Sequence, residues 1–134
     1  MAQSELVISF PGGMRVDAEY GPHFISTDQP PPQGEGSAPT PFSVFLASIG
    51  TCAGIYVLNF CQQRKIPTEM IHLVQRMEFD PFTRLISRIE LEIQVPPDFP
   101  EKYYPALVRA ADQCAVKRHL ENPPQIDTFT KVAA

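Results

Sequence analysis

Basic residues are scarce in this sequence. Lys and Arg number 11 against 15 Asp and Glu, a formal net charge of −4 over 134 residues. Nucleic-acid phosphates demand a basic face, so nucleic acid is not an expected partner. No tract of Lys or Arg offers a patch for an anionic membrane surface. There is no Gly-rich phosphate loop, no Gly-x-Ser-x-Gly elbow and no dinucleotide fingerprint. His23, His72 and His119 stand at no metal-ligand spacing with cysteine, and Cys114 and His119, five apart, make a poor helical pair. The expectation is no metal and no cofactor. Cysteine itself is sparse and odd in number, at three, which argues against a disulfide framework. Met1-Ala2-Gln3-Ser4-Glu5 lacks a basic stretch followed by a long apolar run, so no signal peptide and a cytoplasmic location are expected. In that compartment cysteines are thiols with chemistry or plain core residues.

What is present fits one globular domain. Apolar residues make up 43% and charged residues 19%, proportions of a chain with a core. Phe42 to Cys61 carries no formal charge over twenty residues, the length of a membrane span. Ser43, Ser48, Thr51, Asn59 and two glycines interrupt it, and no basic asymmetry or aromatic belt flanks it. A buried core helix is the better reading, and no membrane is expected.

The chain opens (1–27) with three short alternating runs. They are Glu5 to Phe10, Met14 to Tyr20 and His23 to Ser26, separated by Gly-containing turns, which predicts an antiparallel meander. Residues 28–40 form a Pro- and Gly-rich loop long enough to be functional rather than a mere connection. Thr40-Pro41 signals a helix start, a hydroxyl N-cap followed by proline at the first position. That helix is expected over 41–65, closed by Arg64-Lys65 and Pro67. Apolar on nearly every side, it must be covered all round, a modest argument for a dimer. Two long strands follow within 68–95, Met70 to Phe79 and Leu85 to Val95, with Ile86 off the alternation. A second helix is expected over 101–120 and a last strand over 125–132, where Ile126, Phe129 and Val132 alternate imperfectly.

Three thiols invite attention. Cys52 lies mid-helix between Gly50 and Gly54, and glycines there suggest close approach by another backbone or a small ligand. Ordinary tight packing of a buried cysteine reads equally well. Cys61, nine residues on, falls on the opposite side of the helix with roughly 13 Å of rise between them. It cannot bridge to Cys52 and reads as core. Cys114 precedes Lys117 and Arg118 by one turn. These either favour a thiolate or form a solvated face, the stronger reading.

The segment Pro41-Phe42-Ser43-Val44-Phe45-Leu46-Ala47-Ser48-Ile49-Gly50-Thr51-Cys52-Ala53-Gly54-Ile55 resembles the OsmC/Ohr family. So do Arg64-Lys65-Ile66-Pro67 and Ala110-Ala111-Asp112-Gln113-Cys114-Ala115-Val116, and, less specifically, Thr27-Asp28-Gln29-Pro30. The resemblance implies an α+β fold in which antiparallel sheets pack around two long central helices, in an intertwined homodimer. It implies a thiol-dependent peroxidase: Cys52 attacks an organic hydroperoxide and becomes a sulfenic acid, Cys114 resolves it as a disulfide, and an external dithiol reduces that. Catalytic members add an Arg and a Glu. Arg15 is the best-placed guanidinium. Phe42-Ser43 stand where the Glu belongs, and Glu35 is the nearest carboxylate. The alternative is a non-catalytic small-molecule-binding or stress protein of the same fold, holding an apolar ligand.

Overall fold

The computed structural model describes residues 4–133. The chain divides into two compact units, Met1–Ala47 and Ser48–Ala134, and the division falls inside its longest helix.

The first unit is a three-stranded antiparallel meander, β1 (Val7–Gly12), β2 (Arg15–Tyr20) and β3 (His23–Thr27), in that spatial order. The expected strands are present with small shifts at their ends. The β1–β2 turn uses Gly12 and Gly13 at positive φ, and the β2–β3 turn uses Gly21 at φ +57, conformations that a side chain resists. The register pairs Val7 with Glu19 and Val16 with Thr27. No apolar residue of this unit is buried among the described residues; its buried residues are Thr27 and Asp28.

Asp28 organises the Pro-rich loop. Its carboxylate accepts from the Gln29 amide at 2.7 Å and from the Ser37 amide and hydroxyl at 3.0 and 2.6 Å. Those bonds hold its pKa down, from 3.8 to about 2. Gly34 closes the ring: a Cβ there would run into the Gln29 carbonyl and the Asp28 carboxylate.

Helix α1 (Pro41–Gln63) begins as the sequence predicts. The Thr40 hydroxyl accepts from the Ser43 amide at 3.1 Å, and proline fills the first position. It ends two residues earlier than expected. The Cys61 carbonyl accepts from Arg64 and Ile66 while Lys65 turns left-handed at φ +56, and Pro67 forbids continuation. By length and composition α1 is apolar enough to cross a bilayer. Its residues Ile49, Ala53, Val57, Phe60 and Cys61 are buried.

The second unit pairs β4 (His72–Phe79) with β5 (Ile86–Gln94), antiparallel. The register slips between Glu78 and Phe79, which accounts for Ile86 standing off the alternation. Leu73, Leu91 and Ile93 of the hairpin, with Val95 just beyond it, pack against a core of Ala53, Val57, Phe60, Cys61, Phe99, Leu107, Ala111 and Cys114.

Two expectations fail beyond β5. The single helix over 101–120 is instead a 3-10 turn (Glu101–Tyr103), α2 (Tyr104–Ala111) and α3 (Ala115–Glu121). Cys114 at φ −60, ψ 141 interrupts the helical path, so α1 alone is long. The last strand over 125–132 does not form: residues 123–133 have no regular structure, with Ile126, Phe129 and Val132 at 84–89% exposure. Apolar residues three apart do not share one face of a strand, whose period is two. Pro123 and Pro124 also lack amide donors.

Candidate thiol site

The break between α2 and α3 decides where the second thiol goes. In a continuous helix Cys114 would be an ordinary helical residue. Here it is the N-cap of α3, and its sulfur accepts from the Lys117 amide at 3.2 Å. From that position it joins the core at 1% exposure, beside half-buried Cys52 of α1. Cys52 acts on Cys114 in the direction that keeps the proton on Cys114. Burial is the main reason the Cys114 pKa rises above its ordinary value; the Lys117 amide opposes the rise, and Cys52 adds to it. Of the two sulfurs, Cys52 is therefore the one open to a reagent, and Cys114 the protonated neighbour behind it.

Cys61 stands apart, as its helical offset from Cys52 requires. It is fully buried, and burial raises its pKa against the pull of Arg64. All three cysteines are free thiols. Arg64 is committed elsewhere: its guanidinium lies 3.7 Å from the Phe60 ring centroid and donates to the Phe60 carbonyl at 3.1 Å. The two glycines beside Cys52 differ. A Cβ on Gly50 would lie 2.6 Å from Gln75 Oε1, so a side chain of β4 is what approaches there; around Gly54 nothing lies within 4 Å.

The other two predicted residues belong to the first unit. Arg15, at the head of β2, is exposed and donates from Nε to the Gly12 carbonyl at 3.4 Å. Glu35 is exposed in the Pro-rich loop, and its amide is one of the donors to Asp28. Phe42 stacks on Phe45 at 5.7 Å between centroids. In the same unit a hollow of about 260 Å³ is lined by Ile8, Val16, Ala18, Ile25, Val44 and, as its one charged group, Asp17. Among the described residues no cluster of His, Cys, Asp and Glu is suited to a metal.

Beside Cys114 stand Lys117, which the sequence offers either to a thiolate or to a solvated face, and Asp112, which it does not single out. Lys117 places its ammonium 2.8 Å from Asp112 Oδ1, so the ion pair spans the turn that carries Cys114. An acidic residue two before a cysteine and a basic one three after it was the available signal, legible only once the helix break was known.

The profile of the OsmC-like protein family matches residues 34–129. No curated protein matches the chain. Solved structures do, at fold level. One is a protein of Psychrobacter arcticus 273-4 named for an osmotic stress induced and detoxification response, 20% identical over 88% of both chains with a TM-score of 0.67. Another is an OsmC like protein from Mycoplasma pneumoniae, 11% identical over 91% of this chain and 89% of that one, TM-score 0.67. A third is an OsmC-like hydroperoxide resistance protein from Jannaschia sp. CCS1, 20% identical over 93% and 89%, TM-score 0.51.

Proposed function

The chain belongs to the OsmC-like protein family, and from that premise we propose that it is a thiol-dependent peroxidase for organic hydroperoxides. One observation carries the reading: half-buried Cys52 packs against the apolar core that buries Cys114, and Cys52 acts on Cys114 there. The name of the Jannaschia structure, a hydroperoxide resistance protein, agrees with it. The Cys52 thiolate attacks the terminal oxygen of the hydroperoxide, the O–O bond breaks, and the alkoxide takes a proton to leave as alcohol. Cys52 is then a sulfenic acid. Cys114 displaces its hydroxyl as water, forming the Cys52–Cys114 disulfide, and an external dithiol restores both thiols. Arg15 and Glu35 are, by resemblance to the family alone, the candidates for the guanidinium and the carboxylate of such a site. The cytoplasm supplies the reducing compartment, and a second copy of the chain supplies cover for the apolar residues of the first unit.

The test is stoichiometric. One equivalent of cumene hydroperoxide is expected to yield cumyl alcohol and a chain lighter by two hydrogens, with Cys52 and Cys114 joined. Cys52→Ser abolishes both. Intact thiols in the wild-type chain after exposure sink the proposal. A second reading, an apolar small-molecule-binding protein, is favoured by the apolar hollow of the first unit; intact thiols together with a ligand retained in native mass spectrometry select it.

A further inference from the structure

Away from the thiols, the second unit holds a cavity of about 290 Å³ where the stop of α1 meets the segment leaving β5. Both of its walls follow from chain-stopping residues. On one side Pro67 prevents α1 from continuing. The left-handed turn at Lys65 carries the chain out of the helix, and the Ile66 amide donates to the Cys61 carbonyl at 2.9 Å. On the other side Pro96 starts a turn that the Phe99 amide closes on the Pro96 carbonyl at 3.0 Å, and Pro100 follows it. Proline has little torsional freedom, so the cavity is preformed and binding requires little reorganisation.

The lining is of two kinds. Phe99, 4% exposed and stacked on Tyr104 at 5.9 Å between centroids, ties the apolar side to the core, and half-buried Ile66 extends it. Exposed Met70 adds an adaptable thioether. Lys65, Glu69 and Asp98 bring charge of both signs to the same cavity. All three are exposed, and among the described residues none of them enters an ion pair. Arg76, Arg88 and Lys117 of the same unit each hold a carboxylate within 3.5 Å. An apolar wall beside uncommitted charges of opposite sign complements a small molecule that is apolar at one end and dipolar at the other. Cys52 and Cys114 are not lining residues.

We infer that this cavity binds a free α-amino acid with an apolar side chain. Lys65 takes its carboxylate, Glu69 and Asp98 take its ammonium, and its side chain lies against Phe99 and Met70. The inference is independent of the peroxidase reading, since no thiol takes part. An uncharged apolar ligand leaves the three charges unused, and an ion of one sign meets its own sign across the cavity without compensation. A volume of about 290 Å³ lies at the small end for ligand cavities, which suits a leucine-sized molecule. Solvent screens exposed charges, so each ionic contact is worth about threefold in affinity. The dissociation constant expected is about millimolar.

The test uses L-leucine and two analogues that each lack one of its charges, isoamylamine and isocaproate, in calorimetric titrations of the full chain. L-leucine is expected to bind tightest, with each analogue about threefold weaker. Lys65→Gln should weaken L-leucine about threefold while isoamylamine binds no more weakly than before. Glu69→Gln combined with Asp98→Asn should weaken L-leucine and isoamylamine while isocaproate binds no more weakly. The opposite selectivities separate lost contacts from lost folding, which would weaken all three ligands alike. In amide NMR spectra L-leucine should move the signals of Ile66, Met70 and Phe99 and leave that of Cys52 in place. No binding of L-leucine, equal affinity for the three ligands, or signals that move only in the hollow of the first unit overturns the inference.

Discussion

The two units of this chain are held together in different ways. In the second, eight apolar side chains and thiols close on one another, Leu107 at 2% and Ala53 fully buried. In the first, the strands pair and the loop is knotted on Asp28, yet Ile8, Phe10, Phe24 and Ile25 are all exposed. Hydrogen bonds define the shape of the first unit; burial stabilises the second. A three-stranded sheet without a covered apolar face is marginal in water. The thiols lie in the unit that has a buried core of its own.

That contrast breaks most readily by truncation. Leu107→Ala is expected to cost about 3 kcal/mol in urea unfolding, whereas Phe24→Ala costs under about 0.5 kcal/mol in dilute solution where the chain is monomeric. Equal costs would mean that the first unit has a hidden core. A growing cost of Phe24→Ala with protein concentration would identify the cover as a second copy.

Gly54 sharpens the same comparison. It sits inside a helix with open space around it, so Gly54→Ala should stabilise by about 1 kcal/mol through helix propensity alone. A loss in place of that gain marks a neighbour that one chain does not provide, and native mass spectrometry of the variant would show whether that neighbour is another copy.

The smallest effect is local and belongs to the first unit. The Asp28 carboxylate is held from 3.8 down to about 2 by its hydrogen bonds to Ser37 and Gln29. A depressed carboxylate stabilises above its unfolded pKa and ceases to as pH falls through the folded one. Protection of the Gln29 and Ser37 amides from hydrogen exchange should therefore be full above about pH 4 and disappear toward pH 2. Asp28→Asn should reduce it at neutral pH, with the core of the second unit unaffected. Loss of protection throughout the second unit as well would show that the two are not separable.

Much of this was legible in the residues. Thr40-Pro41 announced α1, the Gly-bearing turns announced the meander, and the nine-residue offset placed Cys61 in the core. What escaped were features decided by single residues against a favourable local pattern. Positions 101–120 read as one amphipathic helix because their composition suits one, and nothing in periodicity reveals that Cys114 leaves the helical region to cap α3. The proximity of Cys52 and Cys114 came from resemblance, since residues 62 apart in sequence carry no spacing signal. Ile126, Phe129 and Val132 suggested a strand by their hydrophobicity, though their interval of three argued otherwise. The Asp28 ring went unseen because its partners are mostly backbone amides, which every sequence has.

The start of α3 poses a question of economy. Serine, threonine, aspartate and asparagine all cap helices better than a thiol does, and any of them would serve the geometry at position 114. Folding alone gives no reason to place there an atom that is a feeble acceptor and is vulnerable to oxidation. The choice of sulfur over oxygen at that point reads as a concession by architecture to reactivity.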